Sequence, residues 1–324
     1  MAVMVTGGTG QVGAFLSKSL LRSGQEVLVF DAKPNLENIR EIRDRVTLVE
    51  GDVTNLPSIV ETIRKYRVET VYHLAAVVVL DSRENPLKSA NVNCMGTVNV
   101  FEAGKTTGLK RIIYMSSSAV YGRPEAYGRE VVSEDDVPRC PIDPYSATKV
   151  MNEVFGQHYF SKFGVKTLGL RLAATWGPGR YVGFTGAFND MVRRLAIGES
   201  ASLPPDFAFP GAQLRWLYVE DLGDLLVHAG TVGEGSIKRR LYNVGTRGPF
   251  TPVDFVSTLK EVLPDARLSV EWRDRPTESA LSVAGPSGLD IDCGRFYEEL
   301  GYHEKATLKS SIERAIAFER ARLH

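Results

Sequence analysis

Short apolar runs alternate with amphipathic stretches through the first half of the chain. Val3-Met4-Val5 reads as a buried strand, and residues 14–21 carry apolar side chains at helical spacing. Ser23-Gly24 then reads as a helix end, and 26–31 as a second strand that closes on an acid, Asp31. Further apolar runs fall at 46–50, 70–74, 111–115 and 166–170, separated by helical patterns at 56–66, 86–107 and 144–163. Strands alternating with helices of that length predict βαβ units and a mostly parallel sheet covered on both faces. Right-handed crossovers make this a Rossmann-type, doubly wound α/β fold.

From residue 175 the texture changes. Glycine and proline crowd 176–179 and 204–211, with a lone helical pattern at 187–197 between them. Strand patterns at 216–219 and 241–244 flank a helix at 220–230, and helices are expected at 252–263 and 308–322. This divides the chain into a dinucleotide-binding domain over 1–174, with return segments near 216–246, and a smaller, discontinuous substrate-binding lobe over 175–324. In open α/β sheets the ligand lies beyond the carboxyl ends of the strands, so the lobe is expected to close over that edge.

Bulk properties narrow the class. Lys plus Arg and Asp plus Glu are 39 each in 324 residues, so the formal net charge is zero and nothing favours nucleic acid or a membrane surface as partner. Cys94, Cys140 and Cys293 lack metal-ligand spacing and read as reduced thiols, and His158, His228 and His303 are too scattered for a metal site. The first strand begins too early for a signal peptide, and the longest apolar run, 74–80, is too short to span a bilayer. A cytoplasmic enzyme without a metal is expected.

The chemistry concentrates at strand ends. Gly7, Gly10 and Gly13 lie between the first strand and the first helix in a G-x-x-G-x-x-G spacing. The first glycine permits a tight turn, the second lets backbone approach a pyrophosphate, and the third lets the helix pack on the strand. Free N–H groups and the helix dipole favour the anion. Asp31 follows where an acid bonds the adenosine ribose hydroxyls and repels a 2′-phosphate, which favours NAD, although Lys33 stands nearby. Tyr145 and Lys149 are four apart on a predicted helix and share a face, so the ammonium and a nicotinamide cation can stabilise the phenolate. The run 112–115 opens into the polar loop 116–122, whose hydroxyls can bond a substrate oxygen.

In this order and at these strand ends, the motifs resemble the extended short-chain dehydrogenases/reductases of the NAD-dependent epimerase/dehydratase family over nearly the whole chain. The resemblance implies NAD as cofactor, with Gly7, Gly10, Gln11, Val12 and Gly13 at the pyrophosphate, Asp31 at the ribose, and Asp52 and Val53 at the adenine edge. Leu74, Ala75 and Ala76 after His73, and Asn93 opening the N-x-x-G-T-x-N segment 93–99, are similar to further cofactor contacts. Ser117 matches the catalytic hydroxyl, Tyr145 the base and Lys149 its partner. Ser117, Ser118, Arg215 and Arg275 are the implied substrate contacts, with the two arginines on a diphosphate; a surface or inter-lobe ion pair is the other reading of each. A homodimer through the helices of Asn93 and Tyr145 is also implied, and Phe155, Tyr159 and Phe163 fit a core or a subunit contact.

Departures from the family pattern bear on the substrate. Ala174 stands where nucleotide-sugar members usually carry asparagine, Trp216 replaces the aspartate after Arg215, and Arg275-Pro276 continues into Thr277-Glu278. The loop before Arg215 is long and carries Phe207 and Phe209. Ser118 and Ala119 occupy the positions of the acid pair that 4,6-dehydratases use, so dehydration lacks its acid and base. The expected activity is NAD-dependent oxidation of a secondary alcohol, foremost in a nucleotide-sugar epimerase. The alternative is a dehydrogenase or reductase of a smaller sugar, sugar acid or other carbonyl compound. A cofactor-binding regulator without turnover is opposed by the complete set of Ser117, Tyr145 and Lys149.

Overall fold

The computed structural model describes residues 2–123, 126–128, 131–139, 143–278, 280 and 289–322, and Cys140 falls outside them. β1 (Ala2–Thr6) leads through the glycine turn into α1 (Gln11–Arg22), and β2 (Glu26–Asp31), β3 (Thr47–Glu50), α2 (Leu56–Lys65) and β4 (Val68–His73) follow. The single helix expected over 86–107 is divided. After α3 (Val79–Glu84) and α4 (Pro86–Ser89), a π-helical stretch at Ala90–Met95 runs into α5 (Gly96–Thr107). Such π turns accompany functional sites, where a side chain must be held at an angle a regular helix does not give. β5 (Arg111–Ser117), β6 (Val131–Val132), α6 (Pro144–Phe163), β7 (Thr167–Leu172) and β8 (Ala174–Trp176) come next. Then follow α7 (Phe184–Ala196), β9 (Ala201–Ser202), β10 (Trp216–Tyr218), α8 (Val219–Thr231) and β11 (Leu241–Val244). The last elements are α9 (Pro252–Val262), β12 (Leu268–Ser269), β13 (Asp290–Ile291), α10 (Gly294–Leu300) and α11 (Leu308–Ala321).

Seven strands form one parallel sheet in the order β11-β7-β5-β4-β1-β2-β3. The strand direction of side chains alternates, and this splits the core into two. Val3, Val5, Val27 and Val29 face Leu16 and Leu20 of α1 and Leu222, Leu225 and Leu226 of α8. Met4, Leu28 and Val71 face Ile59 and Ile63 of α2 and Val100 and Phe101 of α5. The chain winds from β1 towards β3 and then from β4 towards β11, so a crevice opens between the carboxyl ends of β1 and β4.

A third core belongs to the lobe and is aromatic: Trp176, Phe188, Phe207, Trp216 and Phe255 pack together with Ile312 of α11. Trp176 meets Phe188 and Phe255 edge-on at 6.0 and 5.4 Å, a favoured ring geometry. β11 joins the main sheet, but β10 pairs with β8 in a separate two-stranded sheet. Alternation explains β10: Leu217 points into the sheet core, while Trp216 and Tyr218 point into the aromatic core. β10 is thus the wall shared by the two parts. Among the described residues, no helix is long and apolar enough to cross a membrane, and no group of His, Cys, Asp and Glu could hold a metal ion.

Candidate active site

A groove of about 430 Å³ runs along the carboxyl ends of β1, β2 and β4, lined by Gly7, Gly10, Gln11, Val12, Gly13, Asp31, Asp52, Val53, Leu74, Ala75 and Ala76. Gly7 has φ +65°, and a Cβ there would come within 2.8 Å of Ala75 Cα. A Cβ on Gly13 would strike the Gly7 carbonyl. Gly10 differs from both: it is exposed, and an added Cβ would meet only Gly7 O, at 3.2 Å. Its bare face is open to the groove. Gly10 is also the N-cap of α1 and supplies no side-chain cap, so first-turn N–H groups remain available to an anion. The turn therefore fits a dinucleotide pyrophosphate.

Asp31 is fixed by Thr9, whose N–H and Oγ1 donate to Oδ2 at 3.1 and 2.6 Å. The N–H of Lys33 donates to Oδ1 at 3.1 Å. Asp52, which lines the groove, accepts the Thr54 N–H on Oδ1 at 2.8 Å. Gln11 Nε2 donates to the carbonyls of Gly177 and Pro178 at 2.6 and 3.0 Å and ties the turn to the lobe.

The 93–99 segment braces the groove from behind. Asn93 is buried, and its amide is spent on the backbone of Val77, accepting from N at 2.7 Å and donating to O at 2.9 Å. Its neighbour Val92 lines the groove, and Asn93 supports the 74–78 loop behind it. Gly96 leaves room for Val53, and Asn99 Nδ2 donates to Val53 O at 3.0 Å. The Oγ1 of Thr97 and that of Thr6 sit on the two ring nitrogens of His73, at 3.0 and 2.8 Å. Burial pushes the His73 pKa down to about 3 and the charge of Lys149 adds to this, so the ring is a neutral strut.

Tyr145 and Lys149 lie on α6, which begins with a capping box between Asp143 and Ser146 and has Pro144 in its first turn. Lys149 is buried; Nζ donates to Met115 O at 2.7 Å and lies 5.3 Å from the Tyr145 ring centroid. Burial lowers its pKa to about 8, against the pull of Cys94 and Glu153. β5 delivers Ser117 to the same place, where its hydroxyl accepts the Ala119 N–H at 3.2 Å and acts on the Tyr145 phenol. Burial raises the Tyr145 pKa, and the Ser117 hydroxyl and the charge of Arg180 pull it back. The cation that acts on the phenol here is thus Arg180, where Lys149 was expected.

Two of the expected substrate contacts, Ser118 and Arg215, are engaged within the chain. Ser118 is buried and donates to Ala173 O at 3.0 Å, so its hydroxyl holds the chain and is not presented to a ligand. Arg215 grips Asp290 through Nε and Nη2 at 2.6 and 2.7 Å, and Nη1 donates to the carbonyls of Thr246 and Arg247. That is the ion-pair reading of Arg215, with most of its donors committed. Arg275 is exposed and makes no ion pair among the described residues.

The profile of the NAD dependent epimerase/dehydratase family matches residues 3–245. The chain belongs to that family. Its cofactor is NAD, and it is an enzyme of the extended short-chain dehydrogenase/reductase group. A relative from Arabidopsis thaliana, UDP-glucuronate 4-epimerase 3, is 30% identical over 97% of this chain and 75% of its own. UDP-glucose 4-epimerase of Thermotoga maritima, solved with UDP-glucose, covers 100% of both chains at 23% identity with a TM-score of 0.84. L-threonine dehydrogenase of Clostridium difficile has the same TM-score, 0.84, at 20% identity, covering 99% of this chain and 98% of its own. Those two likenesses show the fold.

Two functional neighbours escaped the reading of the sequence. Glu153 lies one turn beyond Lys149, so Tyr145, Lys149 and Glu153 form a stripe at i, i+4 and i+8, a spacing that could have exposed it. Glu153 accepts from Ser116 Oγ at 2.5 Å and from Arg171 Nε and Nη2 at 2.9 and 2.7 Å. Arg171 Nη1 continues to the hydroxyl of Tyr121 at 2.8 Å. This buried network fixes the loop that carries Ser117. Arg180 had no signal beyond one basic residue after the 176–179 turn.

Proposed function

We propose that this family member oxidises a secondary alcohol of a nucleotide sugar and returns it as the epimer. The observation that carries the reading is Tyr145, one turn from Lys149 on α6, with Ser117 and the groove-lining Arg180 both acting on its phenol. Bound NAD supplies the hydride acceptor and a positive ring beside the phenol. Tyr145 Oη takes the hydroxyl proton as the carbon loses its hydride, giving a ketone. Ser117 holds the same oxygen, and Lys149 keeps positive charge near the phenolate. Retention of the ketone and reduction on its opposite face makes an epimerase. The 30% identical UDP-glucuronate 4-epimerase supports this choice.

A dehydrogenase of a smaller hydroxy compound is the second reading, favoured by Arg215 being committed to Asp290 and by Ala174 in place of asparagine. The same residues then release the ketone. A homodimer belongs to the proposal, supported by Met95, Val154 and Phe163, which expose apolar side chains on and beside α5 and α6 while Tyr159 is buried beneath them. A cytoplasmic location is the corresponding setting for the free thiols of Cys94 and Cys293.

The test is incubation of the NAD-loaded protein with UDP-glucose and with UDP-glucuronate, followed by proton NMR of the sugar. Appearance of the C4 epimer without net reduced cofactor supports the epimerase. Stoichiometric reduced cofactor with free hydroxy acids, and no binding of UDP by calorimetry, overturns it in favour of the dehydrogenase.

A further inference from the structure

Arg180 sits where the lobe meets the cofactor groove. Glycines with positive φ flank it, Gly179 at +96° and Gly183 at +83°, and set the path of the backbone on either side. The side chain lines the groove together with Gly10, Gln11 and Val78. It lies close enough to Tyr145 for the two to interact electrostatically. Although half-buried, it has one hydrogen bond among the described residues, from Nε to Val182 O at 3.1 Å. Neither Nη meets a carboxylate there, and Asp81, on the exposed α3, acts on it only at longer range.

This sets Arg180 apart from its neighbours. Arg171 is paired with Glu153, Arg215 with Asp290 and Arg314 with Asp221. A guanidinium withdrawn from water without a counter-charge is costly unless a ligand completes it. Burial indeed pulls the Arg180 pKa down. Its two free Nη groups form a planar fork that matches a carboxylate and holds it by two parallel hydrogen bonds. The pyrophosphate already has the first turn of α1, whereas Arg180 is coupled to the reacting end of the groove through Tyr145.

We propose that Arg180 is the specificity-determining residue: it receives a carboxylate carried on a carbon next to the hydroxyl that Tyr145 deprotonates. The favoured substrates are then hydroxy acids, and among nucleotide sugars a uronate is preferred to a neutral hexose. The inference rests on Tyr145 as base, from the reading above, and narrows the substrate class of that site.

The experiment compares kcat/KM for UDP-glucuronate and UDP-glucose in the NAD-loaded wild type, Arg180→Met and Arg180→Lys, with NAD affinity measured separately. Arg180 also acts on Tyr145, so the ratio between the two substrates is the readout. The wild type favours the acid, and Arg180→Met lowers the acid-to-neutral ratio about 100-fold, the loss expected for a truncated charge pair. Arg180→Lys restores part of it, since it keeps the charge without the fork. A ratio that Arg180→Met leaves unchanged overturns the proposal, as does a loss confined to NAD affinity. Should the wild type act on neither nucleotide sugar, the nucleotide reading fails by itself. D-Gluconate and L-threonine then take their place, with reduced cofactor as the signal. Arg180-dependent oxidation of either acid upholds the inference, and no oxidation of either overturns it.

Discussion

Neighbouring hydroxyls in the 116–118 triplet have separate tasks because β5 ends at Ser117 and Ser118 opens the turn that follows. Ser116 donates to Glu153, Ser117 meets Tyr145, and Ser118 donates to the Ala173 carbonyl. Ser117→Ala should therefore lower kcat by about 100-fold, the scale of a lost general acid–base contact, with little change in stability. Ser118→Ala should cost about 1–2 kcal/mol of stability through the unpaired carbonyl and leave kcat alone. Steady-state kinetics and urea unfolding of both variants check the division; equal kinetic losses would contradict it. The placing of Tyr145 and Lys149 together on one helix face was legible from a spacing of four. The partners of Ser118 and Arg215 were not, because a motif gives a residue type and cannot say which partner the folded chain offers first. Asp290, 75 residues from Arg215, is such a partner.

At the scale of elements, β4 and α5 are joined by the neutral His73 ring between Thr6 and Thr97. The unfolded chain protonates this histidine below its ordinary value of 6.5, whereas the folded protein resists down to about 3. In that window the unfolded state binds more protons, so stability falls as pH drops from 6.5 towards 3. At pH 4 the loss is about 3 kcal/mol. His73→Gln, which does not titrate, should lose less on the same descent, as read from urea unfolding at pH 7 and pH 4. Parallel losses in both proteins would show that the ring is not the strut described here. The strands and most helices were visible as apolar periodicity. The π turn at Ala90–Met95 was not; it carries Asn93, whose amide bonds the backbone of Val77, a contact that the periodicity of the segment does not show.

At the scale of the molecule, two parts share β10 as a wall and are laced by polar ties from Gln11 to the 177–178 carbonyls and from Arg215 to Asp290. The aromatic core of the lobe was hinted at by Phe207 and Phe209, but its closure by Phe255 and Ile312 depends on segments far apart in the chain. If Arg215 braces this frame, Arg215→Met and Asp290→Asn should each cost about 2 kcal/mol and the double variant little more. UDP affinity should then change alike in both variants. A loss of UDP affinity confined to Arg215→Met would restore its role as a diphosphate contact.

The central claim is that Tyr145, in the setting of Ser117 and Lys149, moves the proton that lets this chain oxidise an alcohol. Tyr145→Phe removes one oxygen and nothing else. Single-turnover formation of reduced nicotinamide, followed by absorbance alongside a separate NAD titration, measures the step directly. The account predicts a fall of at least about 1,000-fold in that rate with NAD affinity kept. A variant that still forms the reduced cofactor at the wild-type rate would contradict it.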